Sequence, residues 1–87
     1  MQNDKRLNFN TNILPWETLK DIFKFHKIKS KDFARFIWVT PKYISNVLNW
    51  KERITYLLAF ELEKIFGISA EFFLNLQSSY DLYDLRN

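Results

Sequence analysis

Between Thr40 and Lys51 the chain carries a run of polar side chains at the spacing of one helix face. Lys42, Tyr43, Ser45, Asn46 and Asn49 are predicted to point away from an apolar stripe of Ile44, Val47 and Leu48. An ammonium group, a phenol, a hydroxyl and two carboxamides can donate and accept hydrogen bonds and can neutralise phosphate. That is the chemistry of recognition. His26 is the one histidine, with no partner in view for a metal or a catalytic triad, and there is no cysteine, which excludes disulfides and thiolate metal sites. The expectation is a protein without cofactor or metal.

Positioning those side chains requires helices. Asp32-Phe33-Ala34-Arg35-Phe36-Ile37 and Pro41 to Asn49 read as two short helices joined by a tight turn, within a segment running from Ile28 to Arg53. Such a helix-turn-helix pushes the start of its second helix into the major groove of DNA. Lys29-Ser30 offers a hydroxyl cap to the first of the two, whose expected buried face is Phe33, Phe36 and Ile37. Thr40-Pro41 is a cap followed by proline at the first helical position of the second.

Three further helices complete the pattern. Pro15 suits the first turn of a helix carrying Leu19, Ile22, Phe23 and His26. A helix starting near Thr55 turns Leu58, Leu62, Ile65 and Phe66 inward and stops at Gly67, the one glycine in the chain. Ser69 caps the last helix, on which Phe72, Phe73, Leu76, Tyr80 and Tyr83 form a broad apolar stripe. The fold class that fits is all-α, a compact five-helix domain over residues 13–87. Residues 1–12 are polar, without apolar periodicity, and are expected to form a flexible arm. No segment reads as a signal peptide or a membrane span, so the expected location is the cytoplasm.

Charge is unevenly distributed along the 87 residues, whose net charge is +3. Residues 20–53 hold nine basic side chains against three acidic ones, whereas residues 54–87 hold two against five. A polyanion is therefore drawn to the middle of the chain, because each lysine or arginine that neutralises a phosphate releases condensed counterions.

Phe33-Ala34, Val39-Thr40-Pro41-Lys42, Ile44-Ser45 and Leu48-Asn49, followed by Lys51 and Arg53-Ile54-Thr55, resemble the helix-turn-helix of the lambda-repressor-like XRE family of transcriptional regulators. The last helix narrows this further. Gly67-Ile68-Ser69-Ala70-Glu71-Phe72-Phe73-Leu74-Asn75-Leu76-Gln77 with Tyr80-Asp81-Leu82 is similar to the C-terminal signature of HigA-type antitoxins, and Pro15-x-Glu17-x-Leu19 resembles the start of their first helix. The resemblance implies a non-catalytic homodimer that binds a palindromic operator, represses its own toxin-antitoxin operon, and neutralises a RelE- or HigB-like mRNA-cleaving toxin. It places Lys42, Tyr43 and Asn46 at base edges or flanking phosphates, with Ser30, Lys31, Thr40, Asn49 and Lys51 positioned to hold phosphates. Phe73, Leu76 and Tyr80 form the candidate dimer surface. Two other functions stay open: a stand-alone or phage-derived repressor without a toxin, and a protein-interaction module that has lost DNA binding.

All three tryptophans, Trp16, Trp38 and Trp50, stand where the resemblance places glycine. A tryptophan in a left-handed turn costs on the order of 1 to 2 kcal/mol relative to glycine. Two explanations are open. Either the turns have adapted, with Trp38 filling a groove between helices and Asn49 taking the left-handed conformation, or the codons are UGA read as glycine in the source.

Overall fold

A computed structural model describes residues 14–87, so the expected arm at residues 1–12 lies outside the described residues. Five helices are present among them and no strand: α1 Pro15–Phe25, α2 Ser30–Phe36, α3 Pro41–Leu48, α4 Tyr56–Phe66 and α5 Ala70–Arg86. Local chemistry sets most boundaries. Pro15 and Pro41 open α1 and α3, where a missing N–H is no loss. The hydroxyls of Thr40, Thr55 and Ser69 cap α3, α4 and α5, accepting from the backbone N–H of Tyr43 at 3.0 Å, Leu58 at 3.2 Å and Phe72 at 3.2 Å.

The N-cap of α2 is Lys29, which makes no side-chain cap. Ser30 is the first helical residue instead, so its hydroxyl does not serve the capping role expected of it.

The core gathers Leu19 and Phe23 of α1, Phe33 and Ala34 of α2, Ile44 and Val47 of α3, Leu58, Ala59 and Leu62 of α4, and Phe73 of α5, with Ile54 from the preceding loop. At one end the rings of Phe23, Phe33 and Phe66 lie within 5.1 to 6.0 Å of one another. Ala34 is fully buried and lets α2 approach its neighbours closely. Two expectations are corrected. Phe36 is 73% exposed, because the short α2 turns Phe33 and Ala34 inward and leaves the next ring on its outer side. Phe73 is 0% exposed and belongs to the core, so it is not available as dimer surface.

The inward face of α5 continues from Phe73 to Gln77, which is only 7% exposed. Its Oε1 accepts from the Ile54 N–H at 2.9 Å and its Nε2 donates to Asp81 Oδ1 at 3.0 Å, while Arg53 pairs with the same carboxylate. This network ties the loop after α3 to α5. Leu76 and Tyr80 are half-buried, and Tyr80 meets the edge of the Trp16 ring at 4.9 Å.

Candidate nucleic-acid interface

The unit α2, turn, α3 forms as expected, with α3 held by apolar contacts on one side only. Ile44 and Val47 are buried and Leu48 half-buried, which leaves Lys42 and Ser45 exposed and Asn46 half-exposed on the outer face. Residues at i, i+3 and i+4 share a face, so Lys42, Ser45 and Asn46 form one polar strip beginning at the first turn of α3. Among the described residues the Asn46 carboxamide makes no hydrogen bond within the chain, so its donor and acceptor edge is free.

Tyr43 departs from expectation in part. It is half-buried against the core and lines a groove of about 390 Å³ with Ile37, Val39, Leu57, Leu58, Thr55 and Glu61. Asn49 departs further. Its Nδ2 donates to the Ser45 carbonyl oxygen at 2.9 Å and to Ser45 Oγ at 3.2 Å, which turns its donors back onto the helix. What remains outward is an acceptor, the wrong polarity for a phosphate oxygen. Thr40 is exposed but its oxygen is engaged as the α3 cap. Lys31 and Lys51 are exposed, and Ser30 is half-buried at the start of α2.

The basic side chains of residues 20–53 are all exposed. Lys20, Arg35 and Arg53 pair with Glu17, Asp32 and Asp81. Lys24, Lys27, Lys29, Lys31, Lys42 and Lys51 make no ion pair among the described residues, so their charge is available to a polyanion.

The ends of α1, α2 and α3 share one geometry. Each closes through a left-handed residue, Lys27 at φ 56°, Trp38 at φ 66° and Trp50 at φ 71°. The following N–H bonds back to the helix, from Ile28 to Phe23 at 2.9 Å, Val39 to Ala34 at 3.0 Å and Lys51 to Asn46 at 2.8 Å, which is the Schellman arrangement. The proposed adaptation of the turns is therefore not what the backbone adopts. Asn49 sits at φ −103°, leaving Trp50 as the left-handed residue, and Trp38 fills no groove, being 93% exposed. Trp50, 62% exposed, stacks on Trp16 with ring centres 5.0 Å apart and planes 17° from parallel.

The sequence did not single out Gln77 as the anchor of the loop after α3. Its signal was a polar residue one turn beyond Phe73 on an otherwise apolar stripe. Among the described residues no helix is long and apolar enough to cross a membrane.

No family model matches the chain. Solved structures do. An antidote protein assigned to a plasmid maintenance system of Nostoc punctiforme is 35% identical, with 85% of this chain and 82% of that one covered at a TM-score of 0.76. An addiction module antidote protein of the HigA family from Coxiella burnetii is 32% identical, covering 80% and 77% at a TM-score of 0.71. The Pseudomonas aeruginosa antitoxin HigA, solved with the higBA promoter, is 28% identical, covering 84% and 80% at a TM-score of 0.78. An HTH-type transcriptional regulator of Haemophilus influenzae, itself uncharacterised, is 40% identical over 60 residues, which are 69% of this chain and 56% of that protein. The chain thus spans about half the length of the curated relatives it matches. The fold is that of DNA-binding helix-turn-helix antitoxins and transcriptional regulators, and the chain belongs to the HigA-type family of XRE helix-turn-helix proteins.

Proposed function

We propose that this protein is a sequence-specific DNA-binding antitoxin that represses its own toxin-antitoxin operon and neutralises a RelE-like toxin. The observation that carries the DNA half is the polar strip of α3 flanked by unpaired lysines. Lys42 and Asn46 reach base edges, the Asn46 carboxamide pairing with adenine, while Lys31, Lys51 and Ser30 hold phosphates and fix register. Tyr43 contributes its hydroxyl at the margin of the groove. The toxin half is supported by the family alone, whose members include proteins described as antidotes of addiction and plasmid maintenance modules.

The active species in this reading is a homodimer, since one reading helix spans too few base pairs for useful specificity. With Phe73 in the core, the better dimer surface is the outer side of α4. Tyr56, Leu57 and Phe60 are exposed there beside the groove that reaches Tyr43. Leu76 and Tyr80 contribute at most their half-exposed edges.

A gel shift with the promoter upstream of the gene tests the DNA half. Lys42→Ala with Asn46→Ala is expected to weaken binding to that promoter by more than it weakens binding to unrelated duplex, which loses the contribution of one cation. Equal promoter affinity for the parent and the double variant refutes the assignment. Co-purification with the product of the adjacent gene tests the toxin half. A second reading, a repressor without a toxin, is favoured by the curated relatives, which are named as transcriptional regulators. The absence of any toxin-like neighbouring gene selects it.

A further inference from the structure

The residues that close the helices bear on how the gene is read. In the left-handed region an L side chain crowds its own backbone, and glycine alone escapes that cost. Closures of this kind are accordingly glycine positions in most proteins, with asparagine the usual substitute. Here the fourth helix closes on Gly67 at φ 73°, whereas the second and third close on Trp38 and Trp50 at φ 66° and 71°.

Neither indole offsets its strain by burial in the core. Trp38 is 93% exposed and has no aromatic partner among the described residues. Trp50 is 62% exposed, and its one aromatic partner among the described residues is Trp16, another tryptophan. Lys27 shows that the chain tolerates one non-glycine closure, but with a flexible, unbranched, solvated side chain. Composition points the same way. The chain has one glycine and three tryptophans in 87 residues, where an average protein of this length carries about six glycines.

A single substitution of meaning explains the strain, the exposure and the missing glycines together. We infer that the codons for residues 38 and 50 are UGA, decoded as glycine in the source organism, and that the native protein has glycine at both left-handed closures. One base separates UGA from the glycine codon GGA, and one base separates it from the tryptophan codon UGG, so a glycine tRNA with a single altered anticodon base suffices.

The consequence is a different surface at the DNA-facing unit. Two exposed indoles flank α3 in the tryptophan form, one before Lys42 and one after Asn46. In the glycine form the closures of α2 and α3 carry no side chain at those two positions.

Reading the gene and weighing the protein made by its own host test this directly. UGA at positions 38 and 50, together with tryptic peptides 36–42 and 43–51 each lighter than their tryptophan versions by the exchange of one indolylmethyl group for hydrogen, is the expected result. UGG at either position, or peptides of full tryptophan mass, overturns it. Codon identity does not depend on whether the protein binds DNA, so the two proposals fail separately. The physical premise has its own test. Trp38→Gly removes a side chain without packing partners, and it is expected to raise Tm by about 4 °C or more; a lower Tm refutes the claim of strain.

Discussion

The consecutive helices α3 and α4 are built alike and end up exposing different chemistry. Each begins after a threonine whose hydroxyl accepts from the third backbone N–H, and each buries one apolar stripe in the same core. Their outer faces differ in kind. α3 offers Lys42, Ser45 and Asn46, whereas α4 offers Tyr56, Leu57 and Phe60. A polar, cationic face left open is suited to a polyanion that supplies phosphates and base edges. An apolar face left open is suited to another protein. One small core thus exposes two surfaces of different chemistry, as the proposed DNA-reading dimer requires.

The sharpest way to break this contrast is to charge the α4 face. Leu57→Asp with Phe60→Asp is expected to cost about 2 kcal/mol or more in self-association for each anchor removed. Sedimentation at micromolar concentration then returns monomer, and a dimer that persists removes α4 from the interface. Next in size is the joint between the helices. Gln77→Ala leaves the buried Ile54 N–H without its acceptor, a loss of about 1 to 3 kcal/mol in unfolding free energy measured by urea titration. Wild-type stability in this variant refutes the anchoring role.

Smaller effects separate the two helices themselves. Thr40→Ala and Thr55→Ala each remove one cap, with an expected cost of about 1 kcal/mol in stability. Only Thr40→Ala, which loosens the first turn of α3, is expected to weaken promoter binding as well; equal loss from both variants erases the distinction between the surfaces. Smallest of all, Lys51→Ala reduces the slope of log affinity against log salt by about 1 while leaving the preferred sequence unchanged. A shifted sequence preference makes Lys51 a base contact instead.

Helix ends were legible in the sequence because their causes are local. Pro15, Thr40-Pro41, Thr55, Gly67 and Ser69 each act on a backbone group within one turn, so spacing alone locates α1, α3, α4 and α5. Burial was legible only where a helix has neighbours on one side. Ile44, Val47 and Leu48 matched their stripe, but the short α2 exposes Phe36, and α5 buries Phe73 and Gln77 in preference to the whole aromatic stripe. Those choices depend on which helix lies opposite, which periodicity does not contain. The same limit applies at the site. Lys42 and Asn46 stand on the outer face as spacing requires, while the engagement of Asn49 with Ser45 and the place of Tyr43 in the groove beside α4 follow from rotamers and tertiary contacts.

Whether α3 faces DNA is measured by titrating the protein against its own upstream promoter and against a scrambled duplex at one physiological salt concentration. Promoter binding tighter than binding to the scrambled duplex by about a thousandfold or more is expected. Equal affinity for the two duplexes would contradict it.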